Sequence, residues 1–253
     1  MSAALQPLPV GRRGTWTFLH DARSTCHVYL DTEVDATRMR EVRKAADGKV
    51  GYVSLLVKAA AEVVAEVPEA RSVLRPGWLR PSIAEAQQIH AKVLFDRTVA
   101  GARCVLSGVV ESVPELSVLQ VQEAVDAFKD ADPEDPQGPF AAQRKMRGLP
   151  LPVARLIYKA AMRDPGRRAA LQGVFSVTSV GQEQVRVIYP MISGTFGFGI
   201  GRIRDVPVAV DGQVRIGPVC TVSLAFDHRV VDGAVASDVL ARTKNRLETL
   251  EMP

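Results

Sequence analysis

The chain has 253 residues, 47% hydrophobic and 24% charged, with a formal net charge of +4. That composition supports a sizeable core in one large domain or two small ones, and so slight a charge excess does not by itself indicate a nucleic-acid surface. Cys26, Cys104 and Cys220 lie far apart with no Cys-x-x-Cys, which argues against a disulfide framework or zinc knuckle and fits a reducing compartment. No N-terminal apolar run fits a signal peptide, and none reaches the roughly 18 residues of a membrane span, so a cytoplasmic protein with no membrane or nucleic-acid partner is expected.

Residues 1–14, with Pro7, Pro9 and Arg12-Arg13, read as an arm on the surface or on a neighbour, ahead of a single domain over 15–253. His27 to Val34 has strand character, and Asp35 or Thr37 is a plausible cap for the helix that follows. A second helix starts near Ser54 and stops at Pro68. Leu55, Leu56, Val57, Ala59, Ala60, Val63 and Val64 nearly encircle it, the mark of a core helix. Ile89–Asp96 and Ala102–Val110 predict two strands joined around Ala100-Gly101.

Ser112-x-x-Glu115 has the form of a capping box opening a helix with Val118, Val121, Val125 and Phe128 on one face. Three prolines and four acids make 130–139 the clearest loop. Charge is uneven on either side of it: Glu111 to Asp135 holds eight acids and one base, and Arg144 to Arg168 eight bases and one acid. The basic run reads as a solvated helix face, or alternatively as a contact for coenzyme A phosphates. Within it, Pro150 and Pro152 start a helix carrying Leu156, Ile157 and Tyr158. Strands are expected near Val174–Val180, Val185–Tyr189 and Phe196–Ile203, then a hairpin of Val206–Val210 with Gln213–Ile216 turning on Asp211-Gly212. Gly194-x-x-Gly197-x-Gly199-x-Gly201 lacks dinucleotide-loop spacing and leads into a strand, so no nucleotide site is assigned to it. Strands and helices do not alternate as βα units, which favours α+β over a doubly wound sheet.

The stretch that carries chemistry is Phe226-Asp227-His228-Arg229-Val230-Val231-Asp232-Gly233. Upstream, Val222, Leu224 and Phe226 alternate with Thr221, Ser223 and Ala225, the period of a half-buried strand. Downstream, Val235, Val239, Leu240, Thr243, Leu247 and Leu250 recur at helical spacing. His228 therefore sits where a strand ends and a turn leads into a helix, a place that can hold an imidazole rigidly and still admit a substrate.

A lone His-x-x-x-Asp is weak evidence, but the extended string Ser223-x-x-Phe226-Asp227-His228-Arg229-x-Val231-Asp232-Gly233 closely resembles the signature of the dihydrolipoyl acyltransferase catalytic domains of 2-oxoacid dehydrogenase complexes. These share the chloramphenicol acetyltransferase-like fold, an α+β mixed sheet with flanking helices. Condensation domains share it too, but they carry a second histidine where this chain has Asp227. Further resemblance lies in Cys26 to Thr37, in Lys58-Ala59-Ala60 with Val67-Pro68-Glu69, in Gly173 to Gly181 and in Pro190 to Gly201, so it spans roughly 15–250. The family's Gly-Leu-x-Val-Pro-Val run is absent at Gly101 to Val110, as are its usual prolines around Ser193-Gly194-Thr195.

The resemblance implies histidine general-base catalysis of acyl transfer, with His228 deprotonating the incoming nucleophile; an imidazole suits that task because it titrates near neutrality. It implies that Asp232 is structural, paired with an arginine for which Arg23 and Arg229 are candidates, while a helix N-cap is an equally open reading. It places the family's oxyanion-binding hydroxyl on Thr178, flanked by Ser176 on the same strand face and Ser179 on the other. It further implies acetyl-CoA as co-substrate, no metal, and a homotrimer with active sites at subunit interfaces. Lys58 and Lys159 lie in helical, apolar contexts, so no covalently attached lipoyl group is expected and the chain reads as a catalytic core alone. Stand-alone relatives acylate a small-molecule hydroxyl with acyl-CoA, as in tetronate polyketide biosynthesis, and that is the expected activity. Its rivals are a dihydrolipoyl acyltransferase core served by a lipoyl domain on another chain, and an inactive trimeric scaffold.

Overall fold

A computed structural model describes residues 6–75, 77 and 79–251. In chain order, a single turn at Val10–Arg12 leads into α1 (Arg13–Ala22), β1 (His27–Asp35), α2 (Thr37–Ala45) and α3 (Tyr52–Glu66). Then come the short strands β2 (Ser72–Arg75) and β3 (Ser82–Glu85), and the long ones β4 (Ala91–Val99) and β5 (Ala102–Val110). Helices α4 (Val118–Asp130), α5 (Ala141–Gly148), α6 (Leu151–Ala161) and α7 (Pro165–Gln172) precede β6 (Phe175–Ser179), β7 (Phe196–Ile200), β8 (Arg204–Val210), β9 (Gln213–Asp227) and α8 (Gly233–Glu248).

The main sheet runs β1-β9-β7-β6-β4-β5, with β8 pairing the first half of β9. β6 is parallel to both β4 and β7, and the remaining pairs are antiparallel. The sheet is thus mixed and flanked by helices, the expected α+β class. Its N-terminal and C-terminal strands lie side by side, because β1 pairs β9 from His27↔Asp227 to Asp35↔Val219. One face carries the core: Val222, Leu224 and Phe226 of β9 and Phe175 and Val177 of β6 bury against α3 and α8. Leu55, Leu56, Val57, Ala59, Ala60, Val63 and Val64 of α3 are all buried, as its encircling apolar residues require.

Several boundaries differ from the sequence reading for physical reasons. The capping box belongs to Ser117 and Gln120, whose side chains and amides bond reciprocally at the start of α4. Ser112 instead takes a left-handed conformation (φ 46°) and donates its amide to His90 Nδ1, so Glu115 ends a short turn. The cap of α2 is supplied from one residue further out, where Asp35 Oδ1 accepts the Thr37 amide at 2.8 Å. Of the expected arm, residues 1–5 lie outside the described residues. Gly11 is buried so closely that a Cβ there would meet the Val99 carbonyl oxygen at 3.0 Å. The two turns expected on Ala100-Gly101 and Asp211-Gly212 form with positive φ at both residues, the geometry that matches strand twist in a two-residue hairpin.

Val185–Tyr189 is not a strand: it is part of an extended segment laid across the outer face of β7 and β9. That placement explains the glycines. A Cβ on Gly199 would lie 2.3 Å from the Ile188 carbonyl oxygen, and one on Gly201 only 1.8 Å from that of Arg186. Ser223 Oγ donates to the Ile188 carbonyl beneath the same segment. The second half of β9 is therefore buried on both faces rather than half-buried, because the crossing segment covers Thr221, Ser223 and Ala225.

Candidate active site

His228 follows the last residue of β9, and its backbone is fixed from two sides. Its amide donates to the Cys26 carbonyl at 2.9 Å, at the entrance to β1, and the Val230 amide closes the turn on the Asp227 carbonyl at 2.9 Å. The ring packs against Phe226 at 5.5 Å between centroids, yet the side chain stays 44% exposed, so a base here is both oriented and reachable. Its Nδ1 lies 3.5 Å from Asp232 Oδ1. Asp232 occupies the N-cap position of α8 but accepts no capping bond and is 85% exposed. At that exposure its effect on the imidazole is a solvent-screened orienting contact.

The arginine expected on Asp232 lies elsewhere. Arg229 forms a forked pair with Asp227, Nε to Oδ1 at 2.9 Å and Nη2 to Oδ2 at 2.6 Å, and Arg23 makes no ion pair with Asp232 among the described residues. The carboxylate holds the Arg229 guanidinium above its ordinary pKa. Asp227 also accepts the Arg229 amide, and its side chain is only 3% exposed. The buried residue immediately before the histidine thus pins the turn. The signal was present as Asp-His-Arg, but its two charges at i and i+2 can fork only because the turn folds Arg229 back.

Thr178 lies on the outer face of β6, half-buried, and its hydroxyl makes no hydrogen bond among the described residues. Ser179 is occupied, accepting the Gly181 amide at 3.1 Å, and Ser176 sits two residues closer to the start of the strand. Thr178 and Ser176 both keep hydroxyls without a hydrogen bond among the described residues. The register then sets its distance from the histidine. Thr178 pairs with Gly199 and Gly199 with Ser223, two strand spacings of about 4.8 Å, while His228 is five residues beyond Ser223 at about 3.3 Å each. The Cα atoms of the two residues in one chain are consequently about 20 Å apart.

The basic run Arg144–Arg168 is not uniformly solvated. Arg147 is buried and donates to the Pro133 carbonyl and to Glu134, both at 3.2 Å, and Arg168 is buried in α7. Sequence reasoning missed a buried polar group beside it. Lys92 of β4 bonds Gln172 Oε1, lies 4.6 Å from the centroid of the Phe18 ring, and is driven by burial down to about pKa 8. The signal was a lysine inside the apolar run Ala91-Lys92-Val93. Among the described residues there is no cluster of three or more His, Cys, Asp or Glu placed to hold a metal, and no helix is long and apolar enough to cross a membrane.

Residues 141–252 match the family model of the 2-oxoacid dehydrogenases acyltransferase catalytic domain, the segment that contains Thr178, β9, His228 and Asp232. Over this segment the chain is similar to that acyltransferase family. Among curated relatives, the dihydrolipoyllysine-residue acetyltransferase component of the Bacillus subtilis pyruvate dehydrogenase complex is 25% identical over 231 residues, covering 87% of this chain and 44% of the relative. The chain spans about half the length of the curated relatives it matches. In structure it resembles a probable dihydrolipoamide acetyltransferase from Listeria monocytogenes (TM-score 0.72, 19% identity, 98% of this chain and 96% of that one). It also resembles a chloramphenicol acetyltransferase (TM-score 0.54, 14% identity, 98% and 100%). Both likenesses concern the fold, and they agree with the mixed sheet and flanking helices described above.

Proposed function

We propose that the chain is an acyl-CoA-dependent O-acyltransferase, transferring acetyl from the thioester to a small-molecule hydroxyl. His228 removes the acceptor proton as the oxygen attacks the thioester carbonyl. Thr178 donates to the oxyanion of the tetrahedral intermediate, which collapses by breaking the carbon–sulfur bond, and the thiolate leaves with the proton held by His228. Asp232 orients the imidazole, and the Asp227–Arg229 fork holds the turn that presents it.

The observation that carries this reading is the separation between base and hydroxyl. A thioester carbonyl spans a few ångströms, so His228 and Thr178 about 20 Å apart in one chain can meet only across a boundary between copies. The half-exposed His228 and the uncommitted Thr178 hydroxyl support a site completed by a neighbouring subunit, as in a homotrimer. The test is complementation. Purified H228A and T178V variants are each expected to be inactive, whereas co-expressed chains regain activity at roughly a quarter of the interfaces, those pairing an intact histidine with an intact threonine. No recovery in mixed oligomers would refute the shared site.

A second reading, transfer to a dihydrolipoyl thiol, is favoured by the names of the curated relatives. Thiol release from acetyl-CoA, measured first with free dihydrolipoamide and then with a panel of alcohols, separates the two. Turnover only with the dithiol would replace the hydroxyl acceptor, and turnover with neither, together with no stabilisation by coenzyme A, would leave the scaffold reading.

A further inference from the structure

β9 is patterned for burial along its whole length, but its own chain covers only part of it. β1 ends at Asp35, opposite Val219, so β9 from Gly217 back to Gln213 has β8 as its one strand partner among the described residues. The apolar alternation does not stop there. Val214, Ile216 and Pro218 continue the stripe of Cys220, Val222, Leu224 and Phe226 on one face of the strand. From Cys220 to Phe226 that stripe is buried, whereas Val214 is 77% exposed and Ile216 70%. Their cross-strand partners Ala209 and Pro207 share the face and are exposed too, and no residue of β8 or of Gln213 to Pro218 is buried.

A two-stranded hairpin is marginal in water without a surface to pack on. At its root Arg40 bonds Asp205 at 2.7 Å; from Val206 to Gly217 no hydrogen bond or ion pair ties the hairpin to the rest of the chain among the described residues. Pro207 supplies no N–H to the open edge of β8, which disfavours strand addition there and leaves the apolar face as the contact. The position of the hairpin says what it meets. β6 and β7 run away from the end of the sheet that carries His228, and Thr178 is the next-to-last residue of β6, level with Ser223. The hairpin projects from that same far end, the run from Val219 to Gln213 extending about 20 Å. A copy whose His228 reaches Thr178 must come alongside this end. We infer that the β8–β9 hairpin is the arm that holds this neighbouring copy, its face of Pro207, Ala209, Val214 and Ile216 covered by apolar surface of a second copy of the same chain. This rests on the reading of His228 and Thr178 as a site shared between copies.

The test is sedimentation velocity and acyl-transfer rate on the full chain over a range of concentrations, with a Val214→Glu/Ile216→Glu double variant. The two side chains are exposed, so the variant should fold, and circular dichroism checks that it does. It is expected to raise the concentration at which copies separate by about tenfold or more, and activity per chain should fall with the assembled fraction and return as concentration rises. Val214→Ser/Ile216→Ser, which adds no charge, should act in the same direction to a smaller extent. Leu156→Glu, at a side chain 71% exposed on α6, should leave assembly as it is. Separation of copies by Leu156→Glu but not by the hairpin variants would overturn the inference and move the contact to α6. An unaltered protein that sediments as a monomer would overturn it as well. Hairpin variants that stay assembled and active, while H228A and T178V chains still complement each other, would overturn the arm and leave the shared site standing. Hairpin variants that separate yet keep full activity would instead sink the shared site and leave the arm.

Discussion

Replacing Lys92 with methionine should make the empty protein more stable, an uncommon outcome for a change inside a sheet. Burial lowers the Lys92 pKa from 10.5 to about 8. At about 1.4 kcal/mol per pH unit this is a penalty of about 3 kcal/mol on the charged form at neutral pH. Methionine fills a similar volume beside Phe18, and about 1 kcal/mol is returned because Gln172 Oε1 is left with Ser193 alone. The net expectation is a gain of about 2 kcal/mol at pH 7, a rise of roughly 4–8 °C in Tm for a chain of this size. The sign with pH follows from proton binding. Between about pH 8 and 10.5 the unfolded chain holds the Lys92 proton that the folded chain has released, so this residue's penalty is present in full below pH 8 and is relieved as pH rises through that window. Melting curves of both proteins at pH 7 and pH 10 check it: the difference should shrink at the higher pH. A K92M variant less stable than its parent at pH 7, or a pH-independent difference, would show that Lys92 is compensated in place.

Three further outcomes are expected. H228A should lower kcat by about 10²–10⁴-fold with little change in Tm, since the ring is half-exposed; a variant at full rate would refute the base assignment. Gly199→Ala places a Cβ 2.3 Å from the Ile188 carbonyl and 2.6 Å from Ser223 Oγ, and should cost at least 1–3 kcal/mol in denaturant unfolding by lifting the crossing segment; an unchanged midpoint would mean that the segment does not lie there. Asp227→Asn frees Arg229, which is one-third exposed and can rehydrate, so the loss should be about 2 kcal/mol, accompanied by a fall in kcat as the turn loosens; loss of stability at full kcat would separate the fork from the catalytic turn.

What could be read from the sequence was whatever depends on neighbours along the chain. The period of Val219–Phe226, the helical spacing after Gly233 and the two positive-φ turns all produced the elements they predict, because strand, helix and hairpin signals are local. His228 and Thr178 were located in the same way, on the end of one strand and the outer face of another. Features decided across the sheet were not legible. The burial of both faces of β9 depends on a segment about thirty residues upstream, and the glycines of β7 register that crossing without revealing what crosses. Ser112 lost its expected role to Ser117 because His90 claims its amide. Neither Arg23 nor Arg229 could be chosen as the partner of Asp232, because the path of the turn decides which acid an arginine meets, and the observed path folds Arg229 back onto Asp227.

The distribution of charge around the turn ties these strands of evidence together. Asp227, His228 and Arg229 are consecutive, yet they serve different partners: the acid is buried, the arginine neutralises it, and the imidazole between them remains open. Arg229 takes both of the Asp227 oxygens, so the buried acid is neutralised inside the turn and the imidazole keeps the exposed Asp232 as its nearby carboxylate. A single substitution, Asp227→Asn, should accordingly weaken turnover through the turn and leave stabilisation by coenzyme A intact; loss of that stabilisation would mean that Asp227 shapes more than the turn that presents His228.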